Sequence, residues 1–204
     1  MHKKQKIINS VVFHMHDTMK ILGISASPVK GGNNDKLIEK VLGIAKSRGF
    51  EVDSVLISSS KIAPCTACGI CRDEEMCPID DDMQHVYQKL KEADAIIVSS
   101  PVYFGSVTAQ VKALFDRSVL HRRQGFQLKN KVGAALAVGG SRNGGQEKTI
   151  QTIHDWMHIH GMIVVGDGGH FGGILQKPAL EDKEGMQTAV DTINKMCDVL
   201  EMMK

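Results

Sequence analysis

No stretch of this 204-residue sequence approaches the run of about 18–20 apolar residues needed to cross a bilayer, so a spanning helix is not expected. Charge of neither sign is in excess. Twenty-five Lys and Arg face 23 Asp and Glu, a net +2 that argues against nucleic acid or a membrane surface as partner. The two commonest nucleotide loops, G-x-G-x-x-G and Gly-Lys-Ser/Thr, are missing. Aromatic residues are scarce, at nine, and no repeat or low-complexity tract divides the chain. Cysteines are few and are not spread as in a disulfide framework: four fall between Cys65 and Cys77, and Cys197 stands alone. A chain of this length buries roughly 70% of its unfolded surface and needs no covalent staple. A tight cysteine cluster in it therefore reads as metal or redox chemistry.

What is present fits one soluble domain, with 42% hydrophobic and 24% charged residues. Residues 1–18 read as an arm or a misassigned start, with Met19 opening a domain over 19–204. The apolar stretch Ile7–Phe13 is broken by Asn9 and Ser10 and lacks a cleavage site, so a cytoplasmic address is expected.

Strand and helix patterns alternate. Lys20–Ser25, Glu51–Ser58, Ala95–Ser99, Val132–Val138 and Met162–Val165 read as strands. Asp35–Arg48, Asp80–Ala93, Val107–Ser118, Gln146–His160 and Glu181–Met203 read as helices. Such alternation predicts an α/β, flavodoxin-like doubly wound sheet of five parallel strands in order 2-1-3-4-5, with helices on both faces. Its ligand belongs beyond the carboxyl ends of the strands.

Three strand-end loops are unusual. Ser25–Asn34 gathers hydroxyls, amides, Gly31, Gly32 and Lys30 before a helix start; Ser25, Ser27, Lys30, Asn33 and Asn34 are its candidate anion ligands. Pro101-Val102-Tyr103-Phe104-Gly105-Ser106 places two adjacent aromatics at a strand end, suited to covering a flat ring. Gly139–Glu147 carries four glycines, with Gly140, Ser141 and Gly145 able to bring main chain close to a ligand.

Together these loops resemble those of the flavodoxin-like NADPH-dependent FMN reductase superfamily, over most of the chain from Lys20. Ser27-Pro28 through Asn33-Asn34 and Leu37 are similar to its phosphate loop, and Pro101–Gly105 to its ring loop. Val29 stands where that family often has arginine and Asn34 where it often has threonine. The resemblance implies non-covalent FMN.

The cysteines are spaced Cys65-x2-Cys68-x2-Cys71-x5-Cys77-Pro78. Compact thiolates suit a 4Fe–4S cluster, and bacterial ferredoxin loops share this opening and the trailing proline. Structural zinc more often uses well-separated pairs, and metal-free thiols or a Cys65–Cys68 redox disulfide complete the alternatives. The full set resembles the iron–sulfur flavoproteins. That likeness implies electron transfer between a ferredoxin-like donor, or NAD(P)H, and an acceptor. It also implies a homodimer or homotetramer, which could bring one subunit's cluster near another's flavin. Two other readings remain: an NAD(P)H-dependent FMN or quinone reductase without a cluster, and a non-enzymatic thiol redox sensor. No side chain is expected to act as a catalytic acid or base.

The remaining expectations are plain. The cluster ligands should sit after the second strand, beside the flavin crevice. Asp80-Asp81-Asp82 should cap a helix. His154 and His158 should decorate a surface, and His121-Arg122-Arg123 with Arg142 should form a solvated basic face. Cys197 should be buried.

Overall fold

The computed structural model describes residues 18–204, so the expected arm lies, except for its last residue, outside the described residues. The strands are β1 Lys20–Ser25, β2 Glu51–Leu56, β3 Ala95–Pro101, β4 Val132–Gly139, β5 Ile163–Val165 and β6 Gly173–Gln176. The helices are α1 Asn33–Ser47, α2 Met83–Glu92, α3 Ala109–Arg117, α4 Val119–Arg123, α5 Gln146–Ile159 and α6 Lys183–Met202. The sheet order is β2-β1-β3-β4-β5, all parallel.

Both faces of this sheet are covered, and side-chain alternation divides its residues between two cores. Leu22, Ile24, Ile96, Val98, Ala135 and Ala137 pack with α2, α3 and α5. Ile21, Ala95, Ile97, Val132, Leu136 and Val138 pack with α1 and α6. The near-continuous apolar character of β3 and β4 follows directly, because every residue of each is buried.

The expected count of five strands is corrected to six. β5 pairs only with Val132–Ala134, while β6 continues the same edge against Leu136–Gly139. Residues 166–172 leave the edge between them. Asp167 holds this excursion by accepting the backbone N–H groups of Gly169, at 2.9 Å, and His170. Glycines at 166, 168, 169 and 172 made two short strands read as one strand and a loop.

His121 is buried and His154 half-buried, contrary to the expected exposed roles, whereas His158 is exposed as expected; His160 is buried too. Burial pushes His160 down to about 4, and burial followed by the charge of His158 does the same for His154. His121 is buried, with its Nδ1 donating to Gln127 Oε1 across 2.6 Å. Cys197 is buried as expected, with its thiol pushed up to about 11 by desolvation. Among the described residues no helix is long and apolar enough to cross a membrane.

Candidate functional site

The first loop joins β1 to α1. Gly32 is the N-cap of α1 and no side chain caps the helix, so its first-turn N–H groups remain available to an anion. Gly31 takes φ +67°, with open space where a Cβ would stand. Asp35, expected only as a helix start, organises this loop. Its carboxylate accepts Ser25 Oγ at 2.5 Å, Gly31 N–H at 2.8 Å and Ser58 Oγ at 3.3 Å.

That arrangement corrects one candidate: the Ser25 hydroxyl proton is committed to Asp35 and is not free for an anion. The amide oxygens of Asn33 and Asn34 are also committed, to Ala179 N–H at 2.8 Å and Ser99 Oγ at 2.7 Å. Their NH2 ends are the parts left to donate. Ser27 Oγ accepts Val29 N–H at 3.1 Å and keeps its own proton, and Lys30 is exposed. Nearby, Thr108 Oγ1 donates to Ala26 O at 2.7 Å, fastening the start of α3 to the same loop.

The second loop leaves β3 as a two-residue hairpin. Tyr103 and Ser106 exchange backbone hydrogen bonds of 2.9 and 3.2 Å, with Phe104 at φ +51° and Gly105 at φ +85°. A bulky aromatic at positive φ is strained, and such strain gathers at ligand sites. Phe104 is fully exposed and Tyr103 is nearly half exposed, so two apolar rings project without a protein surface to cover them.

The third loop, between β4 and α5, is locked from beneath by Gln146. Its amide donates to Ser141 O at 2.7 Å and Leu175 O at 3.1 Å, while its oxygen accepts Gly144 N–H at 2.8 Å. Gly145 has φ +105°, and a Cβ there would stand 3.2 Å from Val102 and 3.4 Å from Gly105. The aromatic hairpin and glycine loop are therefore in contact. Gly140 and Ser141 are exposed beside them, whereas Arg142 is not a free cation: it pairs with Asp182 at 2.8 Å.

Cys65, Cys68, Cys71 and Cys77 all line one cavity of about 400 Å³, closed on its other side by Arg117, Val119, Leu120 and Arg123. All four are free thiols, and Ala67 at φ +54° with Gly69 at φ +88° turns the chain between them. Among the described residues no three His, Cys, Asp or Glu side chains converge on a single-ion site. Four thiols lining one cavity are the donor set that a 4Fe–4S cluster would take. Two N–H groups already point at sulfur: Ala67 N–H on Cys65 at 3.4 Å and Arg123 Nη1 on Cys71 at 3.0 Å.

Arg117 closes the base of this loop. Its side chain is 0% exposed and bonds Asp81 at 2.6 Å, Ala63 O at 3.1 Å and Ile79 O at 3.4 Å. Burial opposes its charge, but the Asp81 carboxylate and Tyr87 hydroxyl hold its pKa above the ordinary value. Asp81 also accepts Ala63 N–H at 2.8 Å and Met83 N–H at 3.1 Å. Hence two of the three aspartates do more than the expected capping: Asp81 as above, and Asp82, the N-cap residue without a side-chain cap bond, whose carboxylate accepts Lys61 N–H at 2.7 Å.

The cysteine cavity does not adjoin the strand-end crevice as expected. It lies where α3 ends and α4 begins, whereas the aromatic hairpin lies before the start of α3. The nine residues of α3 put roughly 13 Å between these ends. The loop leaves β2 near the crevice but descends along α2, where Gln124 Nε2 donates to Cys71 O and Glu75 pairs with Lys91.

The sequence model for "NADPH-dependent FMN reductase" matches residues 19–172. An iron-sulfur flavoprotein from Methanosarcina thermophila is 66% identical over 186 residues, covering 91% of this chain and 97% of that protein. An iron-sulfur flavoprotein from Methanocaldococcus jannaschii is 46% identical over 193 residues, covering 91% of this chain and 100% of that protein. Among solved structures, a flavodoxin, WrbA-like protein from Agrobacterium tumefaciens superposes with a TM-score of 0.66 at 19% identity. That match covers 92% of this chain and 100% of that one, and it shows the shared fold.

Proposed function

The chain belongs to the NADPH-dependent FMN reductase family and is a flavin-dependent oxidoreductase; from that premise we propose that it is an electron-transfer protein carrying FMN and one 4Fe–4S cluster. The observation that carries the cluster is the meeting of four free thiols around one cavity with an arginine on a sulfur. When bound, FMN exchanges electrons in pairs or singly and the cluster singly, so together they can link two-electron and one-electron chemistry.

The chain's own residues have distinct tasks in this reading. The uncapped start of α1, Ser27, Lys30 and the NH2 groups of Asn33 and Asn34 hold the phosphate. Asp35 takes no part in that contact; with both oxygens already bonded, it keeps the loop in shape. Pro101–Ser106 covers the ring, with Tyr103 and Phe104 as the apolar surface. Gly140, Ser141 and Gly145 bring main chain to the ring's polar edge. Cys65, Cys68, Cys71 and Cys77 ligate the cluster. The electron donor is a ferredoxin-like protein or NAD(P)H. The length of α3 between the two sites within one chain favours a homodimer or homotetramer in which sites of different subunits meet.

Iron, acid-labile sulfide and flavin measured on anaerobically purified protein test this reading. About four irons, about four sulfides and one FMN per chain are expected. Iron-free protein that oxidises NADPH through bound FMN would overturn the cluster and leave the simple reductase. The ring-edge role has its own test. Gly145→Ala should weaken FMN binding about tenfold, because an alanine there is strained at φ +105° and presses on Val102. Titration of flavin fluorescence with apoprotein reads this directly, and unchanged affinity would remove Gly145 from the site.

A further inference from the structure

We propose that Arg123 is a positioning residue that raises the reduction potential of the cysteine-bound centre through its hydrogen bond to Cys71. The inference rests on the cluster reading above and adds to it a residue that does not ligate. Arg123 ends α4, and its Nη1 donates to Cys71 Sγ at 3.0 Å. Gln124, the next residue, donates Nε2 to Cys71 O at 3.2 Å, so one cysteine is held at both its sulfur and its carbonyl.

The end of α4 is itself held in place. Gln124 N–H bonds Leu120 O, Gln127 N–H bonds His121 O, and the Arg122 guanidinium lies 5.4 Å from the Phe126 ring centre. The Arg123 contact is thus set by the fold around it.

Charge separates Arg123 from its neighbours on the cavity wall. Arg117 is neutralised by Asp81 at 2.6 Å, and its other donors go to main-chain oxygens and Tyr87. Among the described residues, Arg123 has no carboxylate within ion-pair distance and spends a donor on sulfur. Arg72 also lines the cavity but, among the described residues, bonds none of the four sulfurs. Adding one electron makes a thiolate-bound centre one unit more negative. An unneutralised guanidinium on one of its sulfurs favours that added electron, and hydrogen bonds to sulfur are a recognised determinant of cluster potential. Because Arg123 is exposed, part of this effect is screened by salt.

Arg123→Gln and Arg123→Lys, prepared anaerobically as full-length holoprotein, test the proposal by redox titration followed in the cluster's electron paramagnetic resonance signal. The bound FMN serves as an internal reference. In Arg123→Gln the reduced-to-oxidised ratio at a fixed ambient potential should fall about tenfold, a downward shift of about 59 mV for one electron. Arg123→Lys should recover most of that shift, and raising the salt should narrow the gap between wild type and Gln. Iron content and the FMN potential should not change. A Gln variant with full iron and an unshifted potential overturns the proposal. So does loss of iron from both variants, which would make Arg123 an assembly contact. Absence of iron from the unaltered protein is a different result, overturning the cluster reading beneath it.

Discussion

Replacing Cys77 with alanine is expected to remove the iron and sulfide from the protein while leaving one FMN per chain. A cubane needs four anchoring thiolates, and the cavity offers four cysteines from one loop. Cys77 packs its small side chain against the core, but its place in the loop is held through the backbone. Its carbonyl accepts Gln84 Nε2 at 3.0 Å, and the surrounding backbone is held by Asp81, Asp82 and Arg117. The substitution therefore removes a ligand without loosening the frame. The loops proposed to hold the flavin arise from β1, β3 and β4, at the other end of α3, so flavin content should hold. Colorimetric iron and sulfide with flavin absorbance measure all three. Full iron in Cys77→Ala would mean that the ligand set is wrong, and loss of FMN would mean that the two sites share a structural element.

Arg117→Met should destabilise the fold by about 3–5 kcal/mol, the cost of leaving one member of a buried ion pair without its partner. Arg117 is 0% exposed at its side chain and Asp81 11%, so water cannot replace the lost contact. The same change releases Ala63 and Ile79, which flank the cysteines, so iron should be lost at lower urea concentration than the helical signal. Combining Arg117→Met with Asp81→Leu should recover part of the loss, because the unpaired carboxylate is removed while the Ala63 and Met83 N–H groups lose their acceptor. Urea unfolding followed by circular dichroism decides it; equal losses in the single and double variants would reject the clamp.

The sign of the pH dependence is fixed by Asp81. Burial alone would raise its pKa, but the Arg117 guanidinium and two backbone N–H groups hold it below the ordinary carboxylate range. Its contribution is present above the unfolded-state value of about 3.9 and is lost only as pH falls through the lower folded value. The wild-type contribution should therefore be the same at pH 7 and pH 5, whereas in Arg117→Met, where burial acts on Asp81 without the guanidinium, the penalty should shrink as pH is lowered and the carboxyl takes up a proton; urea unfolding at several pH values reads both.

Much of the fold was legible because its signals are local. Continuous apolar runs marked β3 and β4, and residues three and four apart marked α1 and α5. The sixth strand was not legible. At four residues, after a glycine-rich excursion, β6 has too little pattern of its own and is defined by pairing with β4. In the candidate site, sequence spacing gathered the four cysteines and the three loops. It could not show that Ser25 is spent on Asp35, because hydrogen-bond partners ten residues apart across a turn leave no periodic trace. Arg123 read as part of a solvated basic face for the same reason: its partner Cys71 lies 52 residues away.

The sequence by itself determined the alternating α/β plan, the compact thiol set and the glycine-rich and aromatic loops. These are properties of neighbouring residues, set by backbone freedom, side-chain periodicity and ligand chemistry. Only the tertiary structure decided which polar groups remain free, which arginine is neutralised and which touches sulfur. It alone also placed the cysteine cavity at the far end of α3 from the aromatic hairpin. Those outcomes depend on distances between segments remote in the chain, and such distances arise only when the helices pack on the sheet.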